Sequence, residues 1–260
     1  MSNHPFFIGF YALSAHSDES PLGTLYFIRH GQAGTRAHYD LLSELGQQQA
    51  TLLGQHFARE ATALDAVVTG SLQRQQQTAQ LTLQQMNSSL TPQLDAHWNE
   101  FSLANVYQGM LPLLLRDEAV FAADYAAMQE TLHDDAHAVR GAVGRCDRAI
   151  IEAWMNERFA EYEGETWATF RARVQSALPA LLAAAATRTI AVFTSATPIA
   201  ICVSTVLGLT NDKTLGQTLG LMAMVQNSSI TTMRVREAEA WLFNFNTLPH
   251  LLDATMHTFR

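Results

Sequence analysis

Cysteine is scarce in this 260-residue chain. Only Cys146 and Cys202 occur, in dissimilar contexts and without metal-type spacing. A disulfide scaffold is thereby excluded, and a reducing compartment suits the chain, so the expected location is cytoplasmic. Long apolar runs are also missing: none approaches the roughly 20 residues that cross a bilayer, and no membrane partner is expected. Positive charge is in deficit, with a formal net charge of -8. Phosphate backbones demand a basic face, which argues against nucleic acid as the main partner. Repeats and low-complexity tracts are absent as well, the Gln-rich "QRQQQTAQLTLQQ" being amphipathic.

What is present is apolar material: 48% hydrophobic residues against 15% charged. This suffices for a sizeable core and opposes wholesale disorder. The length suits one large domain, or one domain carrying a substantial insertion. At the start, Phe6 to Ala15 forms a short apolar stretch with no Lys or Arg before it. Residues 1–23 therefore read as an N-terminal extension, not a signal peptide. The main domain is expected over 24–260.

Beyond residue 23 the chain alternates strand and helix patterns. Leu25-Tyr26-Phe27-Ile28 reads as a buried strand, and Leu41 to Glu60 as a helix with Ser43 at its N-cap. A second short strand spans Leu64 to Ser71, and a helix follows over Leu72 to Met86. Later, Thr189 to Thr194 reads as a strand, followed by a polar turn and a helix that Pro198 opens at its first position. "SITTMRVREAEAWLFNFN" reads as a terminal hairpin. Such units predict an α/β fold: three layers, α/β/α, around a mostly parallel sheet. The strand-poor, Ala-rich stretch at about 101–182 predicts a helical cap insertion lying over one end of the sheet and deciding substrate identity. Trp98, Tyr107, Trp154 and Trp167 either line that roof or belong to the core.

In open parallel sheets, ligands bind beyond the carboxyl ends of the strands. Arg29-His30, Ser71 to Arg74 and Thr194 to Thr197 all fall there. Two guanidinium forks at neighbouring strand ends suit a tetrahedral dianion. A histidine among them serves as a nucleophile if one ring nitrogen is unprotonated. Gly31 is expected to let an anion approach backbone amides. Singly, an Arg-His pair at a strand end is more often a salt-bridge participant, and Arg74 an ordinary first-turn residue. Their ordered occurrence carries more weight.

That order has a parallel. "FIRHGQA", then "LSELGQQQATLLG", then "SLQRQQQTA" resembles the histidine phosphatase superfamily, the phosphoglycerate-mutase-like proteins. "ETWATFRARV", "NSSITTM" and "FNTLPHL" extend the resemblance from about residue 24 to the C-terminus. It implies a phosphoric-monoester hydrolase in which His30 becomes phosphorylated. Arg29, Gln32 and Arg74 would bind the phosphoryl group, and Glu100 would act as general acid, with Asp95 the competing carboxylate. The implied partner is a phosphorylated small molecule or phosphomonoester. No cofactor or metal is implied, because the arginines do what Mg²⁺ does elsewhere. Nothing in the sequence sets the oligomeric state, and a homodimer is compatible with it.

One family feature is missing. The superfamily carries a second histidine at a late strand end, and no histidine lies between His137 and His250. Aligning "VFTSATPIA" places Ser195 in that position, with Ala196 behind it. Losing one preorganised donor to a transferring group typically costs about 10²–10³ in rate. Ser195, Ala196 and the helix N-terminus around them are expected to hold a phosphoryl oxygen in its place. A hydroxyl of Thr194, Ser195 or Thr197 is expected to cap that helix. A second reading follows from the same gap: a weak or inactive relative that binds a phosphorylated ligand. A phosphoglycerate-type mutase ranks lower, since such mutases keep the second histidine. His133 and His137 have the spacing of a metal-binding pair but no clear third ligand, so a solvated helix face is the expectation. "FTSAT" lacks the flanking glycines of a nucleophile elbow.

Overall fold

The apolar run around Phe27 forms the central strand β1 (Gly23–Arg29) of a six-stranded sheet. The structure is a computed structural model and describes residues 22–35, 38–131, 142–209 and 215–259. Most of the N-terminal extension and the His133–His137 pair lie outside the described residues. The other elements are α1 (Glu44–Arg59), β2 (Ala66–Thr69), α2 (Gln73–Gln85), β3 (Gln93–Leu94), α3 (Leu103–Asp117), α4 (Ala119–Thr131), α5 (Ala142–Met155), α6 (Trp167–Ala185), β4 (Thr189–Thr194), α7 (Ala196–Val206), α8 (Leu215–Met224), β5 (Ile230–Arg236) and β6 (Glu239–Thr247).

The sheet order is β3-β2-β4-β1-β5-β6. The first four strands are mutually parallel, while β5 and β6 form the expected antiparallel hairpin. Alternation along the central strands sorts side chains between two cores. Leu25, Phe27, Ile190 and Val192 face one cluster, with residues of α6 and α7. Ile28, Ala191 and Phe193 face the other, with Leu53 and Phe57 of α1 and Ala79 and Leu83 of α2. Covering on both faces is why the β1 and β4 sequences are apolar without a polar beat. The three-layer α/β architecture is thus the one that the sequence predicts.

Two details differ from the sequence reading. Pro198 is the third residue of α7, not the first, because Ala196 and Thr197 already adopt the helix. The long helical stretch also divides. α3, α4 and α5 pack largely on one another, whereas α6 packs against β1 and α7 in the layer covering the sheet. Trp98, Trp154 and Trp167 are buried in the larger core, where Phe101 stacks 4.5 Å from Trp154.

The α1–α2 contact depends on Gly54. A Cβ there would lie 2.4 Å from the Thr82 carbonyl oxygen and 2.7 Å from Gln85 Cβ. Alanine gains about 1 kcal/mol in helix propensity, but overpacking a fixed backbone costs about 1–3 kcal/mol. We expect Gly54→Ala to lower Tm by about 2–4 °C for each kcal/mol of net loss. Thermal unfolding by circular dichroism checks this, and a raised Tm would contradict the packing argument.

Candidate active site

The chain leaves β1 through residues fixed from several sides. The His30 amide donates to the Thr194 carbonyl at 2.9 Å, carrying the β1–β4 ladder one residue past the strand end. The Gly31 amide donates to Thr78 Oγ1 at 3.0 Å. The missing side chain at Gly31 makes room for α1. A Cβ at Gly31 would lie 2.4 Å from the Gly46 carbonyl oxygen, and one at Gly46 would lie 2.1 Å from the Gln32 carbonyl oxygen. Ser43 caps α1 as expected, accepting from the Gly46 amide at 3.0 Å. Its hydroxyl also donates to Gln32 Oε1 at 2.8 Å, so the Gln32 side chain is tied to the start of α1. The Arg-His-Gly and Leu-Ser-x-x-Gly segments are therefore two halves of one backbone contact.

His30 is 2% exposed. Its Nδ1 lies 2.7 Å from the Gly31 carbonyl, and its Nε2 lies 3.1 Å from Arg74 Nε. A carbonyl can only accept and a guanidinium can only donate. The two contacts together assign one tautomer: Nδ1 carries the hydrogen, and Nε2 presents a lone pair to Arg74. Burial drives the His30 pKa well below 6.5, and the positive charges of Arg74 and Arg29 push in the same direction. The imidazole is neutral, with its Nε2 lone pair turned toward a cation.

The two arginines are held differently. Arg29 is 7% exposed. It donates from Nη1 to the Val225 carbonyl at 2.5 Å and from Nη2 to the Phe259 carbonyl at 3.0 Å. Its Nε is buried without a partner, and an unsatisfied buried donor costs about 1–3 kcal/mol. Desolvation lowers its pKa to about 10, which leaves it charged at neutral pH. Arg74 donates from Nη1 to Asp40 Oδ1 at 2.9 Å and lies 5.1 Å from the Tyr39 ring centroid. Asp40 Oδ2 also accepts from the Gln73 amide at 3.1 Å, at the start of α2, where Leu72 offers no side-chain cap. No local sequence pattern links Tyr39 or Asp40 to Arg74, which lies 34 positions after Asp40.

Glu100 reaches the same edge from the turn after β3. Its Oε2 accepts from the Thr197 amide and its Oε1 from the Phe101 amide, both at 3.2 Å. This corrects the expected capping of α7. Ser195 holds the N-cap position but makes no capping hydrogen bond with its side chain, and Thr194 Oγ1 donates instead to the Trp98 carbonyl at 2.5 Å. The Glu100 carboxylate meets the helix N-terminus in their place. Burial raises the Glu100 pKa, against the opposing pull of its Thr197 hydrogen bonds and of Arg74. Ala196, 8% exposed, opens the helix.

Ser195 is 1% exposed, and its Oγ accepts from Gln75 Nε2 at 2.8 Å. Neither outlying histidine stands in for the missing one. His97 Nδ1 pairs with Asp95 Oδ1 at 2.6 Å in an exposed turn that Asp95 also caps. His250 Nε2 meets Ser228 Oγ at 2.9 Å behind the end of β1. The structure thus brings Arg29, His30, Arg74, Glu100 and Ser195 to one edge, where the Asp95 carboxylate is engaged by His97. Among the described residues no His, Cys, Asp and Glu side chains gather into a metal-binding group, and no helix is long and apolar enough to cross a membrane.

A mostly parallel sheet with a buried histidine between arginines at its carboxyl edge can hold an anion, and comparison with known proteins places the chain in a family. The family description "Histidine phosphatase superfamily (branch 1)" matches residues 25–150 and 141–247. The chain belongs to this superfamily. No curated protein matches it. Among solved structures, it resembles mycobacterial glucosyl-3-phosphoglycerate phosphatase, with 17% identity and a TM-score of 0.55 over 87% of this chain and 99% of that one. Phosphoglycerate mutase from Bacillus anthracis gives 16% and 0.55 over 89% and 96%. A histidine-to-alanine variant of phosphoserine phosphatase from Entamoeba histolytica, in complex with phosphoserine, gives 18% and 0.54 over 88% and 99%. At these identities the likeness concerns the fold.

The tautomer is directly measurable. ¹⁵N-resolved NMR of the histidine rings is expected to show His30 protonated on Nδ1 alone, with no titration step at the ordinary histidine value near 6.5. A His30 resonance that titrates near 6.5 would contradict the geometry.

Proposed function

We propose that the protein is a phosphoric-monoester hydrolase working through a phosphohistidine on His30. The observation that carries this reading is the unprotonated Nε2 of His30, facing the Arg74 guanidinium in a buried setting. Nε2 attacks phosphorus, and the bond from phosphorus to the ester oxygen breaks. The leaving oxygen takes a proton from the Glu100 carboxyl. Arg29 and Arg74 stabilise charge on the equatorial oxygens, with the unpartnered Arg29 Nε a donor available to them. A water molecule then attacks phosphorus, returns its proton to Glu100, and releases inorganic phosphate with His30 neutral again. The substrate is a phosphomonoester of a small molecule, with neither nucleic acid nor a membrane as partner.

Ser195 in the second histidine's position supports a different reading, a protein that binds a phosphorylated ligand without turning it over. One experiment separates the two. With an aryl phosphate and a chelator present, the wild type is expected to turn over and to yield an acid-labile phosphoenzyme, and His30→Ala to do neither. Equal residual turnover in both proteins would overturn the phosphohistidine. Tight phosphate-competitive binding without product would favour the binding protein.

Glu100 gives a second test. With an alkyl phosphate, Glu100→Gln is expected to lose about 10²–10⁴ in kcat, the usual contribution of a general acid. With a p-nitrophenyl ester, whose leaving group needs no proton, the loss is expected to be far smaller. The acid form of Glu100 is the active one, and its pKa is raised. Rate therefore falls as pH rises through that value, and the limb is absent in Glu100→Gln. The lowered pKa of His30 keeps the nucleophile unprotonated on the acid side, so no limb is expected at the ordinary histidine value of 6.5.

A further inference from the structure

Gln75 follows Arg74 on α2 and is completely buried. No sequence pattern marked it. Its Nε2 lies 3.1 Å from the Trp98 carbonyl and 2.8 Å from Ser195 Oγ. Amide orientation is fixed by the first contact, because a carbonyl can only accept and the nitrogen must face it. The same NH₂ then directs its second hydrogen at Ser195. Its oxygen sits against Gly70, where a Cβ would come within 2.0 Å of it, and has no hydrogen-bond partner.

These facts fix the polarity of Ser195. Its Oγ is an acceptor toward Gln75, so its own hydrogen points elsewhere. The Trp98 carbonyl already accepts from Thr194 Oγ1 and Gln75, and Ser195 makes no capping bond in α7. Among the described residues its side chain has no other hydrogen bond. Arg29 is in register with Thr194 across β1 and β4. Continuing that register sets Ser195 opposite His30, about one strand spacing of 4.8 Å away. The backbone that carries this buried hydroxyl, whose hydrogen is unassigned, thus lies beside that of the nucleophile.

We propose that Gln75 is a positioning residue for phosphoryl transfer: it holds Ser195 as an acceptor on one side so that the Ser195 hydrogen is donated to the transferring phosphoryl group. The Gln75–Ser195 pair thereby supplies, from neutral groups, the hydrogen bond that a second histidine would make. This rests on the phosphohistidine reading above. A purely structural Gln75, tying α2 to the turn at Trp98, would need only the first of its two hydrogen bonds.

A double-mutant cycle on phenyl phosphate hydrolysis tests it, using wild type, Gln75→Met, Ser195→Ala and the double variant. Ser195→Ala is expected to lower kcat about 10- to 100-fold, below the loss typical of a stronger oxyanion donor. Gln75→Met is expected to lower kcat about 5- to 20-fold, with KM changed less than about twofold. In the Ser195→Ala background it is expected to cost less than about twofold, because the partner that it orients is gone. The same cost in both backgrounds would overturn the proposal. Should Gln75→Met fail to fold, Gln75→Glu keeps the volume and reverses the bond, its carboxylate taking the Ser195 hydrogen. The same loss is then expected, and wild-type kcat in that variant would overturn the idea. Phosphoenzyme trapping in the wild type separates this failure from that of the parent reading. A labelled His30 with an additive cycle removes only the role of Gln75, whereas an unlabelled wild type removes both.

Discussion

The contact from the Arg74 Nε–H to the His30 Nε2 lone pair joins the end of β1 to the start of α2. It also decides the state of the imidazole. An arginine never accepts a hydrogen bond, so its presence keeps that nitrogen unprotonated. Burial works in the same sense by disfavouring a charged ring. The other features of the edge follow from holding these two groups in place. Asp40 and Tyr39 fix the guanidinium, the Gly31 carbonyl fixes the ring's other nitrogen, and the Gly31–Gly46 backbone approach fixes the turn that carries both.

Charge is distributed unevenly around this centre. Two buried guanidiniums face a neutral histidine and a carboxyl whose pKa is raised by burial. Asp40 offsets the charge of Arg74, whereas Arg29 is held by two backbone carbonyls. The Arg29 Nε and the Ser195 hydroxyl hydrogen are two donors without an acceptor among the described residues. Buried donors without acceptors are costly in a resting protein, and sites that bind ligands are where such costs are retained.

The sequence carried most of the fold, and for a physical reason. Strands buried on both faces must be continuously apolar, and amphipathic helices must repeat near 3.6 residues, so β1, β4, α1 and α2 are legible from composition and period alone. The Ser43 cap was legible because capping is local. The start of α7 is not legible in the sequence, because Pro198 suits the first helical turn generally and only the carboxylate of Glu100, arriving from another segment, shows where that turn begins. The two-residue β3 is too short to leave a pattern. The glycines of the two motifs were visible, but their reason was not, since each exists to accommodate the other.

By itself the sequence determined the family, the α/β class and the placing of His30, Arg29, Arg74 and Ser195 at strand ends. These are matters of residue type, order and local period. The tertiary structure alone decided how those groups engage. The His30–Arg74 contact spans 44 residues, Glu100 to Thr197 spans 97 and Gln75 to Ser195 spans 120. Periodicity in a chain records which face of an element is buried. It does not record which side chain from a distant element meets that face, and the protonation of His30 and the polarity of Ser195 depend on that meeting.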